Sequence, residues 1–275
     1  MKFIQKILIL CVFLVCLIPT NVNADNPFRL SEKLYANQNQ QWISFSDLMT
    51  ELKQADIVLI GEQHSQKNHH LAKEQLLQHS EQIRKNGSLL LEMIDEQQQS
   101  AVRDVQKWLN NGGKTGIRHL PEKINWQHSW AWEDYGSMVH YLLQQKPPVL
   151  HATPSRKRIE QSVNFTPTGK KSSAEKVKNT LLEMMNQHAA HGNAQALVNQ
   201  QQFKDSYMAQ QLLLAPKPAW LIAGAVHTAK NIGVPLYLQD ANYQGKVLVI
   251  ILTTDDGLRL DPDLADIVWY LPESR

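Results

Sequence analysis

The chain has 275 residues, 43% of them hydrophobic, with 28 basic and 26 acidic side chains and a formal charge of +2. That composition excludes a disordered chain and leaves room for one large α/β domain or two small ones. The near-balanced charge gives no electrostatic case for nucleic-acid binding, which needs a basic face.

The N-terminal segment differs from the rest. Lys2 and Lys6 make a basic start, Ile7 to Ile18 is an apolar run, and "NVNA" follows with small residues at Val22 and Ala24. This order predicts a secretory signal peptide over 1–24, cleaved after Ala24, ahead of a single domain over 25–275. An apolar run of about a dozen residues is too short to span a bilayer comfortably. The alternatives are an uncleaved anchor or a lipoprotein. Val15 precedes Cys16 where lipidation expects a small residue, and Cys11 follows too short an apolar run. Cleavage removes both cysteines, and with them disulfide and thiolate chemistry. It also takes two lysines from the 28 basic residues, leaving 26 against 26 acidic ones, and keeps all 11 histidines. The predicted address is the periplasm or the outer membrane.

Five continuous apolar runs then predict buried strands: Ile57–Ile60, Leu89–Leu91, Pro148–Ala152, Trp220–Ala223 and Val247–Leu252. Continuous rather than alternating runs suit parallel strands covered on both faces. Helical patterns lie between them. One opens at a Ser46 cap, one runs from Asn68 to Gly87, one from Asp95 to Gly112–Gly113, one stops at Pro147, and two longer ones precede Pro216. The expected fold is α/β, a mostly parallel central sheet with helices on both faces and a helical lid-like insertion over about 156–216.

The chemistry gathers where strands end. In "LIGEQHSQKNHH" an apolar strand meets Gly61, and Glu62 and His64 follow. Ligands of open parallel sheets bind beyond the carboxyl ends of the strands, and Gly61 is expected to permit a tight turn there. The pattern strand–Gly-x-x-His returns in "LIAGAVH" with Gly224 and His227. Glu92, closing "SLLLE", is a strand-end carboxylate that needs a cation, a metal or a protonated imidazole beside it. If these strands are parallel and central, His64, Glu92 and His227 share one rim. A lone strand-end histidine is more often a hydrogen-bonded structural residue; the paired motifs carry the functional expectation. The set would serve as divalent-metal ligands, or with Glu62 as an acid/base cluster.

Three smaller features stay open. Consecutive helical residues point about 100° apart, so one of His69 and His70 is expected in solvent. Asp205 shares a helix face with Met208 and Ala209 and is either a buried pairing partner or a surface acid. "SRKRIEQ" is a solvated basic face, or a site for propionates or phosphates. The most aromatic stretch, "INWQHSWAWEDYG", holds Trp126, His128, Trp130, Trp132 and Tyr135. It is either a core patch beneath a loop or a platform for a planar ligand, with Tyr135 or His128 close enough to ligate iron.

Taken in order, "LIGEQHSQKNHH", "LLLEM", "WEDYG", "PPVLHATPSR", "FKDSYMA" and "IAGAVHTAKNIGVPLYL" resemble the ChaN-like haem-binding family, within the group that includes Tiki and erythromycin-esterase-like proteins. The resemblance covers roughly residues 40 to 252. It implies an exported α/β protein that binds haem, dimerises around it, and serves iron uptake alongside an outer-membrane haem receptor system. In the family a tyrosine ligates the iron and a histidine assists. By that likeness Tyr135 is the expected ligand, with His128, Trp132 and His227 also touching the cofactor. His64 and His227 match the two Gly-x-x-His positions, and Glu62 and Glu92 the acidic ones. Two departures stand out: a lipidation signal is missing, and Gly-Ala-Val-His replaces a more glycine-rich turn. The rival function is a metal-dependent or acid/base hydrolase of the Tiki or erythromycin-esterase type. There Glu62, His64, Glu92 and His227 would be catalytic, and His64, Glu92 and His227 would hold a divalent metal.

Overall fold

The five apolar runs become strands of a single eight-stranded sheet. The structure is a computed structural model that describes residues 33–188, 193–254 and 263–273; the expectation of a signal peptide over 1–24 lies outside them. The strands are β1 (Lys33–Ala36), β2 (Gln41–Ile43), β3 (Ile57–Glu62), β4 (Ser88–Asp95), β5 (Val149–Thr153), β6 (Ala219–Gly224), β7 (Val247–Thr253) and β8 (Ile267–Tyr270). Their order is β2-β1-β8-β7-β3-β6-β4-β5. From β8 to β5 every neighbouring pair is parallel, and β1 alone runs antiparallel to both of its neighbours, β2 and β8. Every residue of β3, β4 and β6 is buried, which is why these strands read as unbroken apolar runs.

The helices are α1 (Phe45–Gln54), α2 (Lys67–Ile83), α3 (Gln99–Asn110), α4 (Leu120–Lys123), α5 (Trp132–Leu143), α6 (Arg156–Gln161), α7 (Glu175–His188), α8 (Ala194–Leu214), α9 (Ala225–Thr228) and α10 (Val234–Asp240). Alternation along β3 divides them into two layers. Val58 and Ile60 face Leu48, Leu76, Leu77, Val102 and Val139 of α1, α2, α3 and α5. Ile57 and Leu59 face Leu181, Val198, Met208, Leu212 and Val234 of α7, α8 and α10. Leu48 and Leu52 of α1 are fully buried, and each contributes about 2 kcal/mol by leaving water. The span 156–216 carries three helices and, among the described residues, no strand; its longest, α8, lies in the second layer.

Helix starts differ from expectation. Ser44, not Ser46, caps α1: Ser44 Oγ accepts from the Asp47 amide at 3.2 Å, and Asp47 Oδ2 accepts from the Ser44 amide at 2.8 Å. Asp95 does not open α3 but ends β4, and its Oδ1 accepts from the amides of Gln97 (2.9 Å) and Gln98 (3.1 Å) in the turn before the helix.

This topology places a crevice. β3 and β6 are neighbours, yet β3 feeds α2 in the first layer while β6 feeds α9 and α10, and α10 lies in the second. Chain connections therefore leave the pair on opposite faces, and the gap between them opens beyond the strands' carboxyl ends.

Candidate functional site

Both histidine motifs emerge at that crevice, displaced by one residue. Gly61 pairs with Ala223 and Glu62 with Gly224, so the two Gly-x-x-His runs are not level. The displacement has a consequence for packing. A β-carbon on Gly61 would lie 2.9 Å from Ala225 Cα, and one on Gly224 would lie 2.9 Å from His64 Nε2. Gly61 thus serves close approach of β3 to α9 rather than a left-handed turn; among the described glycines only Gly112 has positive φ.

The first cluster centres on Glu62, which is 2% exposed. Its Oε2 accepts from Lys73 Nζ, fully buried one turn into α2 from His70, where burial pushes the lysine pKa well below its ordinary value. Its Oε1 accepts from Tyr135 Oη at 2.7 Å and from His64 Nδ1 at 3.0 Å. Lys73 also donates to His70 Nδ1 at 2.8 Å, so His70 Nε2–H donates to the His64 carbonyl at 2.9 Å. An ionised Glu62 only accepts, so a proton on His64 Nδ1 satisfies it, and the Tyr135 hydroxyl lies 3.2 Å from the same nitrogen. His64 Nε2 is then a lone pair, on a side chain that is 39% exposed. Burial lowers the His64 pKa, the Glu92 carboxylate opposes that, and His227 and Lys204 reinforce it, so the ring is neutral at pH 7.

The second cluster lies across Glu92. Glu92 sits where the register of β4 against β5 shifts, between the pairs Leu91–His151 and Asp95–Thr153. Such an irregularity re-aims side chains. Glu92 Oε2 accepts from the Gly224 amide at 2.8 Å and stands 3.8 Å from His64 Nε2. Its Oε1 lies 3.2 Å from His227 Nε2 and 3.6 Å from Lys204 Nζ. His227 Nδ1 meets Asp205 Oδ1 at 2.5 Å, with Gln201 Nε2 at 2.8 Å from the same nitrogen. Burial and Lys204 disfavour a charged His227, but Glu92 and Asp205 outweigh them and raise its pKa to about 9. Glu92 is correspondingly held ionised: burial alone would raise it, and the His227 imidazolium, Lys204 and His64 pull it far down.

The sequence-predicted residues can now be placed. His64, Glu62, Glu92 and His227 meet at one rim. They do not converge as a metal set, because both ring nitrogens of His227 already face carboxylates; among the described residues no group of three His, Cys, Asp or Glu is arranged to hold a metal. Tyr135 is 1% exposed and its hydroxyl belongs to the Glu62 cluster. Trp130 packs edge-on against His64 at 4.9 Å between ring centroids. Trp132 instead packs on Trp126 and Gly136 and donates to the Ile117 carbonyl at 3.1 Å. His128 is exposed on the preceding loop, and none of the contacts that knit the cluster reaches it. The aromatic stretch is therefore a core patch from which Trp130 reaches the crevice. Asp205 is a buried partner, at 0% exposure. Neither His69 nor His70 is solvated. His69 Nδ1 accepts from the Gln63 amide at 3.1 Å, so both rings pin the turn that carries His64.

Residues not singled out in the sequence complete the rim. Lys73 and Gln201 escaped notice because each stands among polar neighbours, Lys73 beside Glu74 and Gln75 and Gln201 between Gln200 and Gln202, where a solvated position is expected. Tyr207 of α8 is another: its hydroxyl lies 2.8 Å from His151 Nε2 and 3.1 Å from Glu96 Oε2, with the Arg158 guanidinium 5.0 Å over its ring. Arg158 also donates to Glu96 at 2.8 Å, so part of "SRKRIEQ" faces inward. Ser155 and Arg158 hold Glu96 down to about 2 against the effect of burial.

Comparison with known proteins adds independent findings. Residues 48–238 match the family model described as haem-binding uptake, Tiki superfamily, ChaN. A solved structure of ChaN from Campylobacter jejuni, described as binding haem cofacially, superposes with a TM-score of 0.79 at 28% identity, covering 87% of this chain and 96% of that one. An erythromycin esterase mutant in its open conformation gives 0.48 at 13% identity over 89% of this chain and 84% of its own. A Bacillus cereus protein gives 0.44 at 10% identity over 77% and 69%. Curated protein sequences gave no match.

Proposed function

Since the chain belongs to the ChaN family of haem-binding uptake proteins in the Tiki superfamily, we propose that it is an exported haem-binding protein serving haem and iron uptake. The observation that carries this reading is His64. Its Nδ1–H is tied to Glu62, its Nε2 is a free lone pair, and the Trp130 ring stands beside it. An imidazole whose far nitrogen donates to a carboxylate is the usual arrangement of a metal-ligating histidine. These residues fit haem: an exposed lone pair offers the iron a ligand, and an aromatic edge offers the macrocycle a flat contact. Bound haem would supply the iron that is the cargo; the chain's own groups bind, orient and shield it.

Tyr135 supports that site from below. A phenolate there would face the Glu62 carboxylate, and burial together with Glu92 and Asp134 raises its pKa. Its hydroxyl holds Glu62 in place for His64 instead of reaching iron. Two copies of the chain would meet over their haems, as the cofacial arrangement in the Campylobacter jejuni protein suggests, and an outer-membrane haem receptor system would be the source. The envelope address rests on the leader pattern over 1–24.

The test is a titration of the purified protein with ferric haem, read at the Soret band, beside His64→Ala and Tyr135→Phe. The proposal expects saturable binding, loss in the first variant and retention in the second. A second reading has one observation in its favour: Glu92 lies between a neutral imidazole and a protonated one, the division of labour of an acid/base pair. His227 and Glu92 are each 5% exposed, so a hydrolase would have to act through His64. Ester hydrolysis that disappears in both His64→Ala and His227→Gln would support it.

A further inference from the structure

We propose that Lys204 receives a propionate carboxylate of the haem, across Glu92 from His64. This role rests on the haem reading and deepens it, because it names the residue that recognises the acid arms of the porphyrin.

The cations near the crevice differ in what they have left to offer. Lys73 is fully buried against Glu62 and His70. The His227 ring is held between Glu92 and Asp205. In the basic run, Arg158 donates to Glu96 at 2.8 Å and Arg156 to Glu160 at 2.7 Å. Lys204 is different. Its side chain is 23% exposed, and its carboxylate partner, Glu92 Oε1, stands 3.6 Å away, beyond hydrogen-bonding distance. An ammonium has three donors, and among the described residues no hydrogen bond takes one up.

Position brings those donors to the ligand. Asp205 turns inward to His227 at 0% exposure, and Lys204, its neighbour on α8, points about 100° away around the helix. Glu92 faces Lys204 with Oε1 and His64 with Oε2, so a single carboxyl group separates the ammonium from the exposed imidazole. Haem carries its two propionates on one edge of an apolar ring. With that ring beside Trp130, the acid edge needs a cation at the rim, because a carboxylate drawn out of water without a partner is costly. Lys204 serves this purpose whether an imidazole or a phenolate meets the iron.

The bland role for Lys204 is charge balance. Glu92 and Asp205, both buried, share the His227 imidazolium, and Lys204 supplies a second positive charge beside them. A lysine kept only for that balance would hold the fold and be indifferent to the charge of the ligand.

The test compares ferric haem with its dimethyl ester, in which both carboxylates are capped and uncharged. Each is titrated into the full chain and read at the Soret band, beside thermal unfolding. Wild type should bind haem more tightly than the ester. Lys204→Gln should weaken haem binding about fivefold, the upper size of a partly exposed charge pair, and leave ester binding unchanged. The Soret position of each complex should match wild type, because the iron keeps its ligand. Lys204→Arg should retain most of the preference. If Lys204→Gln does not fold, the double variant Lys204→Gln/Glu92→Gln, which removes the charge together with its partner, is compared with Glu92→Gln alone. The preference should persist in the single variant and shrink in the double. Equal affinity of wild type for haem and ester, equal weakening of both by Lys204→Gln, or a preference that survives loss of the ammonium would overturn the proposal and leave haem binding standing. Binding of neither compound by wild type would overturn the haem reading and the role of Lys204 with it.

Discussion

The glycine of one motif makes room for the histidine of the other: a β-carbon on Gly224 would stand 2.9 Å from His64 Nε2. Gly224→Ala should displace the His64 ring and weaken haem binding about tenfold. Its backbone lies outside the left-handed region, so the alanine is conformationally acceptable and stability should change little. Haem titration beside thermal unfolding checks the pair of outcomes. Unaltered affinity would mean that His64 does not need that space.

His227 gives the fold a pH dependence of known sign. Its pKa is raised to about 9 from 6.5. A group raised on folding contributes stability that is complete below 6.5 and is lost as pH climbs through 9. The contribution is about 3 kcal/mol at full strength. Urea unfolding at pH 6 and at pH 9.5 should show that loss in wild type and a much smaller one in His227→Gln.

Asp205 is the buried partner of that imidazolium, so Asp205→Asn should lower the His227 pKa toward its ordinary value. Removing one member of a buried charge pair costs about 3–5 kcal/mol, and denaturant midpoints should fall accordingly. Asp205 lies in the second layer, away from the exposed face of His64, so retained haem binding in folded protein is the expected companion result.

Tyr135→Phe separates support from ligation. The hydroxyl's bond to Glu62 at 2.7 Å is lost, and a hydrogen bond to a charged group is worth about 1.5–3 kcal/mol. Stability should fall by that order while the Soret band keeps its position. A shifted band would put the phenol on the iron.

Much of this was legible before any coordinates. Continuous apolar runs announced β3 to β7, because strands buried on both faces leave no polar alternation to obscure them. β1 and β2 were missed because three or four residues, partly exposed, carry too little periodicity. The meeting of His64, Glu92 and His227 followed from strand-end position alone. Their partners did not: Lys73 and Gln201 look like solvent-facing helix residues, and only the fold shows that their helix faces turn inward. His69 and His70 misled for the opposite reason. A helix start usually exposes one of two neighbours, but here the strand-to-helix turn folds over both.

The most direct test of the central claim is ferric haem titration of wild type against His64→Ala, followed by the absorption spectrum of each complex. The account predicts a saturable Soret shift in wild type, and in the variant an affinity at least about tenfold lower with a changed spectrum. Equal affinity and an identical spectrum in His64→Ala would contradict it.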